Sequence, residues 1–375
     1  MNTIPTDINT LVVKIGTALL SGDQPFDGKV LEAIVKDLAR LKRERPMNVL
    51  IVSSGAIGCG MNALGLSERP GALPLKQAAA AVGQATLMHY YETLFRTYGQ
   101  GLKTAQVLLA ASDLDDRRTY LNVRNTIETL FDLGDVIPIV NENDSTATEE
   151  LGFSDNDTLA AKMAAKIDAD LLVILSDVDG LHDKNPGRDP SARLIRRVER
   201  ITEEIEALAD GTAAQTSVGG MKTKLEAVKI ACAAGVVSVI ANGRRPVILS
   251  DILSRDAVAT VFGVSDEALS HRKRWIAFGR TTAGAVCVDD GARDALLHHG
   301  RSLLAAGITR VEGTFSMGAA VAIHDAAGRE LARGLVNYAS DEIDRIRGLK
   351  SHEIQAVLGP KDFDEVIHRN NLVVL

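Results

Sequence analysis

The stretch VIPIVNENDSTATEELGFSDNDTLAA, residues 136–161, holds two clusters of short acids and amides, one behind an apolar run and one ahead of a helical pattern. The continuous apolar character of Val136-Ile137-Pro138-Ile139-Val140 suits a parallel strand covered on both faces. Asn141-Glu142-Asn143-Asp144 then falls at that strand's carboxyl end, where open α/β sheets bind ligands. The second cluster, Asp155-Asn156-Asp157, precedes Leu159, Met163 and Ile167, which form one apolar stripe of a helix. Acids and amides here either cap helices, satisfying orphan amides and offsetting the dipole, or face one crevice and hold a small ligand bearing an ammonium group. Two clusters in succession favour the second reading.

Outward from this stretch, strand-like apolar runs alternate with helical patterns through about the first 250 residues. That alternation predicts a mainly parallel sheet sandwiched between helices. Strands are expected at 10–15, 49–52, 104–109, 136–140, 171–175 and 236–240, with helices between them, among them 30–41 and 221–234. From about Val264 to Trp275 the periodicity breaks, and His271-Arg272-Lys273-Arg274 reads as a solvated connector. Beyond it, strand alternation at 284–288, 319–324 and 330–337, with a helix at 291–299, predicts a small β-rich module. The expected domains are 1–265, a linker at 266–279, and 280–358.

At 375 residues, two domains are the default. With 46% hydrophobic and 24% charged residues, the composition is that of a globular chain. No apolar run approaches the roughly 20 residues that span a bilayer, and the start lacks a secretory pattern, so a cytoplasmic location is expected. Cys59, Cys232 and Cys287 are scattered and odd in number, which suits reduced thiols. The eight histidines show no metal-ligand spacing. A net charge of −7 disfavours general nucleic-acid affinity.

Three glycine-bearing turns lie where phosphate contacts are expected, although no GxxxxGK[ST] loop occurs. Val13-Lys14-Ile15-Gly16-Thr17 places a lysine and a glycine at the end of the first strand, so that backbone amides can approach an anion. Val52-Ser53-Ser54-Gly55 either lets a ligand touch main chain or makes a tight packing turn. Ser217-Val218-Gly219-Gly220-Met221-Lys222-Thr223-Lys224 opens a helix with two lysines in its first turn. Cations there oppose the helix dipole, and a bound anion would explain them if they are not merely surface lysines. In Ser176-Asp177-Val178-Asp179-Gly180, the acids either accept from a ribose or amide or make an Asx turn.

Together VVKIGT, SSGAIGCG, NEND with Asn156 twelve residues after Asp144, SDVDGL and GGMKTK, in this order, resemble the amino-acid kinase superfamily. They are most similar to its members that phosphorylate glutamate in the first step of proline synthesis. The resemblance spans nearly the whole chain, and the terminal module with Lys273-Arg274-Trp275 looks like a PUA domain. It implies ATP-dependent phosphorylation of the L-glutamate side-chain carboxylate to L-glutamyl 5-phosphate, with Mg2+ carried on the nucleotide phosphates and no metal ligand from the chain. It implies Lys14 and Lys224 as catalytic and Ser54, Asp144 and Asn156 as substrate-binding residues. For ATP it implies Lys14, Ser176, Asp177, Val218, Gly219, Gly220, Met221, Lys222, Thr223 and Lys224. It further implies feedback inhibition by proline, hand-over to a glutamyl phosphate reductase and a homo-oligomer. Ser154, Ser176 and Ser217-Val218 depart from the family pattern, and Val218 offers no hydroxyl to a phosphate.

Competing readings keep the fold with another acceptor (carbamate, aspartate or a nucleoside monophosphate) or assign RNA binding to the terminal module. Residues 280–358 carry nine Lys plus Arg against ten Asp plus Glu, with few aromatics for base stacking, so RNA is disfavoured. A dinucleotide-dependent oxidoreductase is disfavoured because no GxGxxG follows the first strand.

Overall fold

The computed structural model describes residues 4–21, 26–110, 113–114, 117–145, 156–187, 189–210, 220–263, 282–359 and 363–374. Contacts divide the chain into Met1–Ser265 and Asp266–Leu375. The expected connector, with Lys273, Arg274 and Trp275, lies outside the described residues.

The first unit runs β1 (Thr10–Ile15), α1 (Thr17–Leu20), α2 (Lys29–Glu44), β2 (Asn48–Ser53), α3 (Ala56–Leu64), α4 (Leu73–Tyr98), β3 (Lys103–Leu109), α5 (Arg117–Asp132), β4 (Val136–Glu142), α6 (Asn156–Lys166) and β5 (Leu171–Ser176). It continues through β6 (Arg197–Val198), α7 (Glu203–Asp210), α8 (Met221–Ala233), β7 (Val237–Asn242), α9 (Ile248–Ser254) and β8 (Ala259–Phe262). The eight strands form one sheet in the order β3-β4-β2-β1-β5-β7-β8-β6, all pairs parallel except β7 with β8. From β1 the chain builds the sheet in one direction through β2, then returns to add β5 on the other side. The carboxyl end of β1 is therefore a topological switch point, where such sheets open a crevice.

Alternation along the strands decides what enters that crevice. Leu11, Val13 and Ile15 pack with Leu31 and Leu38 of α2, Leu87 of α4 and Ile252 of α9. Val12, Leu50 and Val52 pack on the other face with Leu159 and Met163 of α6 and with Leu225 and Val228 of α8. Lys14 shares the parity of Val12, so its side chain belongs to the α6/α8 face.

Two glycines bring α3 and α4 into close contact. A Cβ at Gly83 would lie 1.8 Å from the Ala56 carbonyl oxygen, and one at Gly60 would lie 1.8 Å from that of Ala79. Gly55 enters α3 with φ 108°, a conformation that costs glycine little. At the far side of the sheet, the buried Asp37 carboxylate accepts the backbone N–H groups of Leu249 at 3.0 Å and Ser250 at 3.1 Å, tying α2 to the first turn of α9.

The second unit contains β9 (Ala285–Val288), α10 (Asp290–His299), β10 (Ile308–Glu312), β11 (Ala320–His324), β12 (Glu330–Leu335), α11 (Ser340–Ile346), α12 (Ile354–Leu358) and β13 (Leu372–Val374). Its sheet order is β10-β9-β11-β12-β13. Within this unit the two strands absent from the sequence expectation, β10 and β13, are the edges; in the first unit the short β6 and β8 are absent from it as well. An edge strand buries less of each face, and the exposed Thr309 and Arg310 with a register shift in β10 erase its alternation. Asp289 caps α10 by accepting from the Ala292 N–H at 2.7 Å.

Candidate active site

Three buried charges meet at the switch point. Lys14 comes from β1, Asp157 from the first turn of α6 and Lys224 from the first turn of α8. The side chain of Asp157 is 0% exposed and ion-pairs with both lysines, through Oδ1 to Lys14 and through Oδ2 to Lys224 at 3.2 Å. Burial works against ionising Asp157, but the two ammonium groups prevail and hold its carboxyl below the usual carboxylate range. Thr223 Oγ donates to the Gly220 carbonyl at 2.9 Å and lies 3.3 Å from Asp157 Oδ2. The sequence reading attributes the lysines of this helix start to a bound anion. For Lys224, Asp157 is an anion supplied by the chain itself. Lys222, two residues earlier, is exposed.

Beside this cluster the two polar stretches of the opening segment meet. Asn156 Nδ2 donates toward Asn141 Oδ1 and Ser54 Oγ, each at 3.0 Å, and lies 3.3 Å from the Ser53 carbonyl. Asn141 Oδ1 also accepts the backbone N–H of Glu142 at 2.9 Å. Ser53 in turn accepts from Tyr91 O–H at 2.7 Å and donates to the Ser54 carbonyl, so the turn after β2 is braced from α4. With the Asn156 amide nitrogen turned to these acceptors, its Oδ1 is buried and has no partner among the described residues. Ser54 accepts from Asn156, which leaves its own O–H to donate. The site thus presents an unpaired acceptor and a hydroxyl donor side by side, complementary to an ammonium and a carboxylate.

Asp144 lies just past β4 on a cavity of about 310 Å³, lined also by Ala56, Ala80, Gln84, Gln106 and Glu142. Burial, with the neighbouring Glu142 charge, pushes its carboxyl up to about 7, and Arg69 offsets part of that rise. An arriving ammonium would stabilise the ionised form.

Ser176 ends β5 one residue beyond Leu175, the register partner of Ile15, so it reaches the same sheet edge as Lys14. Its hydroxyl donates to Asp177 at 3.1 Å, and Asp177 is exposed. Asp179 is committed elsewhere: its two oxygens accept from Arg245, at 3.1 and 2.8 Å, and Oδ1 also accepts from Asn242 at 3.1 Å. These partners lie more than 60 positions away, so the contact is a long-range ion pair rather than the Asx turn that the sequence offered. Val218, Gly219, Asp155 and the departures at Ser154 and Ser217 lie outside the described residues.

The structure thus brings Lys14, Lys224, Ser54 and Asn156 to one end of the sheet. Asp157 and Asn141 appear in the sequence only as members of polar clusters. Asp157 stands beside a recognised asparagine at a helix start, where an acid is also an ordinary cap, so nothing local singles it out.

The chain matches the Amino acid kinase family over residues 9–242 and the PUA domain over residues 284–358. It is 45% identical over 366 residues to the glutamate 5-kinase of Caldanaerobacter subterraneus subsp. tengcongensis, covering 97% of each chain. It is 46% identical over 373 residues to the glutamate 5-kinase of Geobacter sulfurreducens, covering 99% of each. Carbamate kinase from Giardia lamblia, solved with AMP-PNP, superposes with a TM-score of 0.48 at 17% identity, covering 69% of this chain and 99% of that one. A kinase unit matched over most of its length, a PUA domain behind it and near-complete coverage at this identity place the chain in the amino acid kinase family, among the glutamate 5-kinases.

Proposed function

We propose that the protein transfers the γ-phosphoryl group of ATP to the side-chain carboxylate of L-glutamate. One observation carries the reading: two buried lysines from separate turns converge on Asp157, next to a serine hydroxyl and an amide oxygen that has no partner among the described residues. Glutamate's side chain ionises near pH 4.3, so at neutral pH it is already a nucleophile and needs no base. A carboxylate oxygen attacks the γ-phosphorus, the bond to the β,γ-bridging oxygen breaks, and ADP leaves with that electron pair. The obstacle is repulsion between anions, which for two unit charges about 4 Å apart amounts to roughly 4 kcal/mol at an effective dielectric near 20. Lys14 and Lys224 would offset it and stabilise charge on the transferring group.

Asp157 would hold both ammonium groups in place before the phosphates arrive. Asp144 and Asn156 Oδ1 would take the substrate's ammonium, and the Ser54 O–H its α-carboxylate. Ser176, Asp177 and the start of α8 from Gly220 would meet the nucleotide. Magnesium would enter on the nucleotide phosphates, as divalent ions commonly do in phosphoryl transfer. On the same reading proline restrains the enzyme, the acyl phosphate passes to a reductase, and the enzyme works in the cytoplasm as a homo-oligomer. Among the described residues no helix is long and apolar enough to cross a membrane.

The test is ATP turnover with and without L-glutamate, the acyl phosphate being trapped as its hydroxamate, and with carbamate, aspartate and a nucleoside monophosphate as rival acceptors. Glutamate-dependent hydroxamate is expected, and faster turnover with another acceptor would refute the assignment. Lys14→Ala should lower turnover by about 10²- to 10³-fold, the scale of losing one donor to a developing oxyanion. A folded variant with unchanged turnover would remove Lys14 from its role.

A further inference from the structure

A one-way chain of carboxamides leads away from the substrate site. Asn156 Nδ2 donates to Asn141 Oδ1 at 3.0 Å, Asn141 Nδ2 to Gln84 Oε1 at 2.9 Å, and Gln84 Nε2 to Gln106 Oε1 at 3.3 Å. It crosses four elements, from α6 through β4 and α4 to the edge strand β3, where Gln106 is exposed.

The direction of the chain is settled by backbone groups. A backbone N–H can only donate, so the Asn141 atom that meets the Glu142 N–H is its oxygen. Its other amide atom is then the NH₂ group, and the Gln84 atom facing it must be oxygen. The Asn156 atom facing Asn141 Oδ1 must likewise be nitrogen, and the Ser53 carbonyl, which can only accept, makes the same demand from a second side. Only this polarity turns Asn156 Oδ1, buried and without a partner among the described residues, toward the ligand.

We propose that Gln84 is a positioning residue for amino-acid recognition, holding the Asn141 amide in the orientation that keeps the Asn156 carbonyl oxygen facing the substrate's ammonium group. The Glu142 N–H anchors one end of the Asn141 amide and Gln84 Oε1 the other. With one anchor the amide plane can rotate, and with two it cannot. Gln84 owes its own place to Gly83, whose missing side chain lets α4 lie against α3. The inference rests on the glutamate reading above.

The experiment compares Gln84→Met, which keeps the shape and removes the acceptor, with Gln84→Glu, which keeps the acceptor and removes the donor. Gln84→Met should raise the glutamate KM by roughly 5- to 10-fold, the scale of one lost hydrogen bond, with kcat and the ATP KM within about twofold. Gln84→Glu should recover most of that loss, although its charge alone would repel an anionic substrate. Melting temperatures of both variants show whether the fold is kept. An unchanged glutamate KM in Gln84→Met, or equal losses in both variants, overturns the assignment. A fall in kcat and both KM values together would mark a merely structural role and also overturns it. Wild-type protein that turns over ATP only with another acceptor refutes the glutamate reading, and this inference falls with it. Wild-type activity with an indifferent Gln84→Met sinks this inference alone.

Discussion

Replacing Asp157 by asparagine probes the centre of the site, because the change keeps the shape and removes one charge. Asp157 is fully buried between ammonium groups whose side chains are 4% and 7% exposed. Removing one member of a buried ion pair costs about 3–5 kcal/mol, since the remaining charge loses its compensation. Here two charges are left. Two like unit charges held about 5 Å apart would repel by about 3 kcal/mol at an effective dielectric near 20. The melting temperature should therefore fall by roughly 6–20 °C for a domain of this size.

The kinetic consequence is more specific. Lysines displaced by mutual repulsion no longer flank the transferring phosphoryl, so kcat should fall about 10²- to 10³-fold. The freed ammonium groups still attract phosphates, so the ATP KM should not rise, and ATP should raise the melting temperature of the variant more than that of the wild type. Thermal shift with and without ATP and initial rates at saturating glutamate measure each quantity. A kcat within about threefold of wild type, or an ATP KM that rises in step with the loss of kcat, would refute the view that Asp157 poises both lysines. Its pH behaviour follows from the lowered carboxyl: the stability it contributes is present above the ordinary carboxylate range and is lost only as pH falls through its own lower pKa.

Asp144 has the opposite sign. Its carboxyl is raised to about 7, so keeping it ionised costs native stability as pH climbs from the ordinary carboxylate range to about 7, a cost that a bound ammonium recovers. The glutamate KM should rise as pH falls through about 7, and Asp144→Asn should flatten that profile; an identical profile in the variant would exclude Asp144 as its source. Gly83→Ala would put a Cβ 1.8 Å from the Ala56 carbonyl oxygen, forcing α3 and α4 apart at a cost of about 1–3 kcal/mol, read as a lower midpoint in denaturant unfolding. Asp37→Ala removes the acceptor of two backbone N–H groups in α9 and should cost about 1–2 kcal/mol by the same measurement, with turnover per folded molecule unchanged.

The positions of the central strands, though not their order in the sheet, were legible in the sequence, because a strand buried on both faces is apolar over most of its length and a polar residue near its end is conspicuous. Lys14 beside Gly16, and Asn141 after Ile139 and Val140, stand out for that reason. The edge strand β10 escaped notice because one side of its ladder faces solvent and tolerates Thr309 and Arg310, whereas the edge strand β3 kept enough apolar residues to be read at 104–109.

Residue order by itself determined a sheet whose strand ends carry lysine, amides and acids, and the motifs tied those ends to a family of phosphotransferases. Tertiary structure alone decided which charges compensate one another. Asp157 lies 143 positions from Lys14 in the chain and 67 from Lys224, yet bonds both, and Gln84 meets Asn141 across 57 positions. The reason is physical: electrostatic and hydrogen-bond energies depend on distance and direction in space, and these exist only once α6 and α8 have packed on one face of the sheet and α4 on the other.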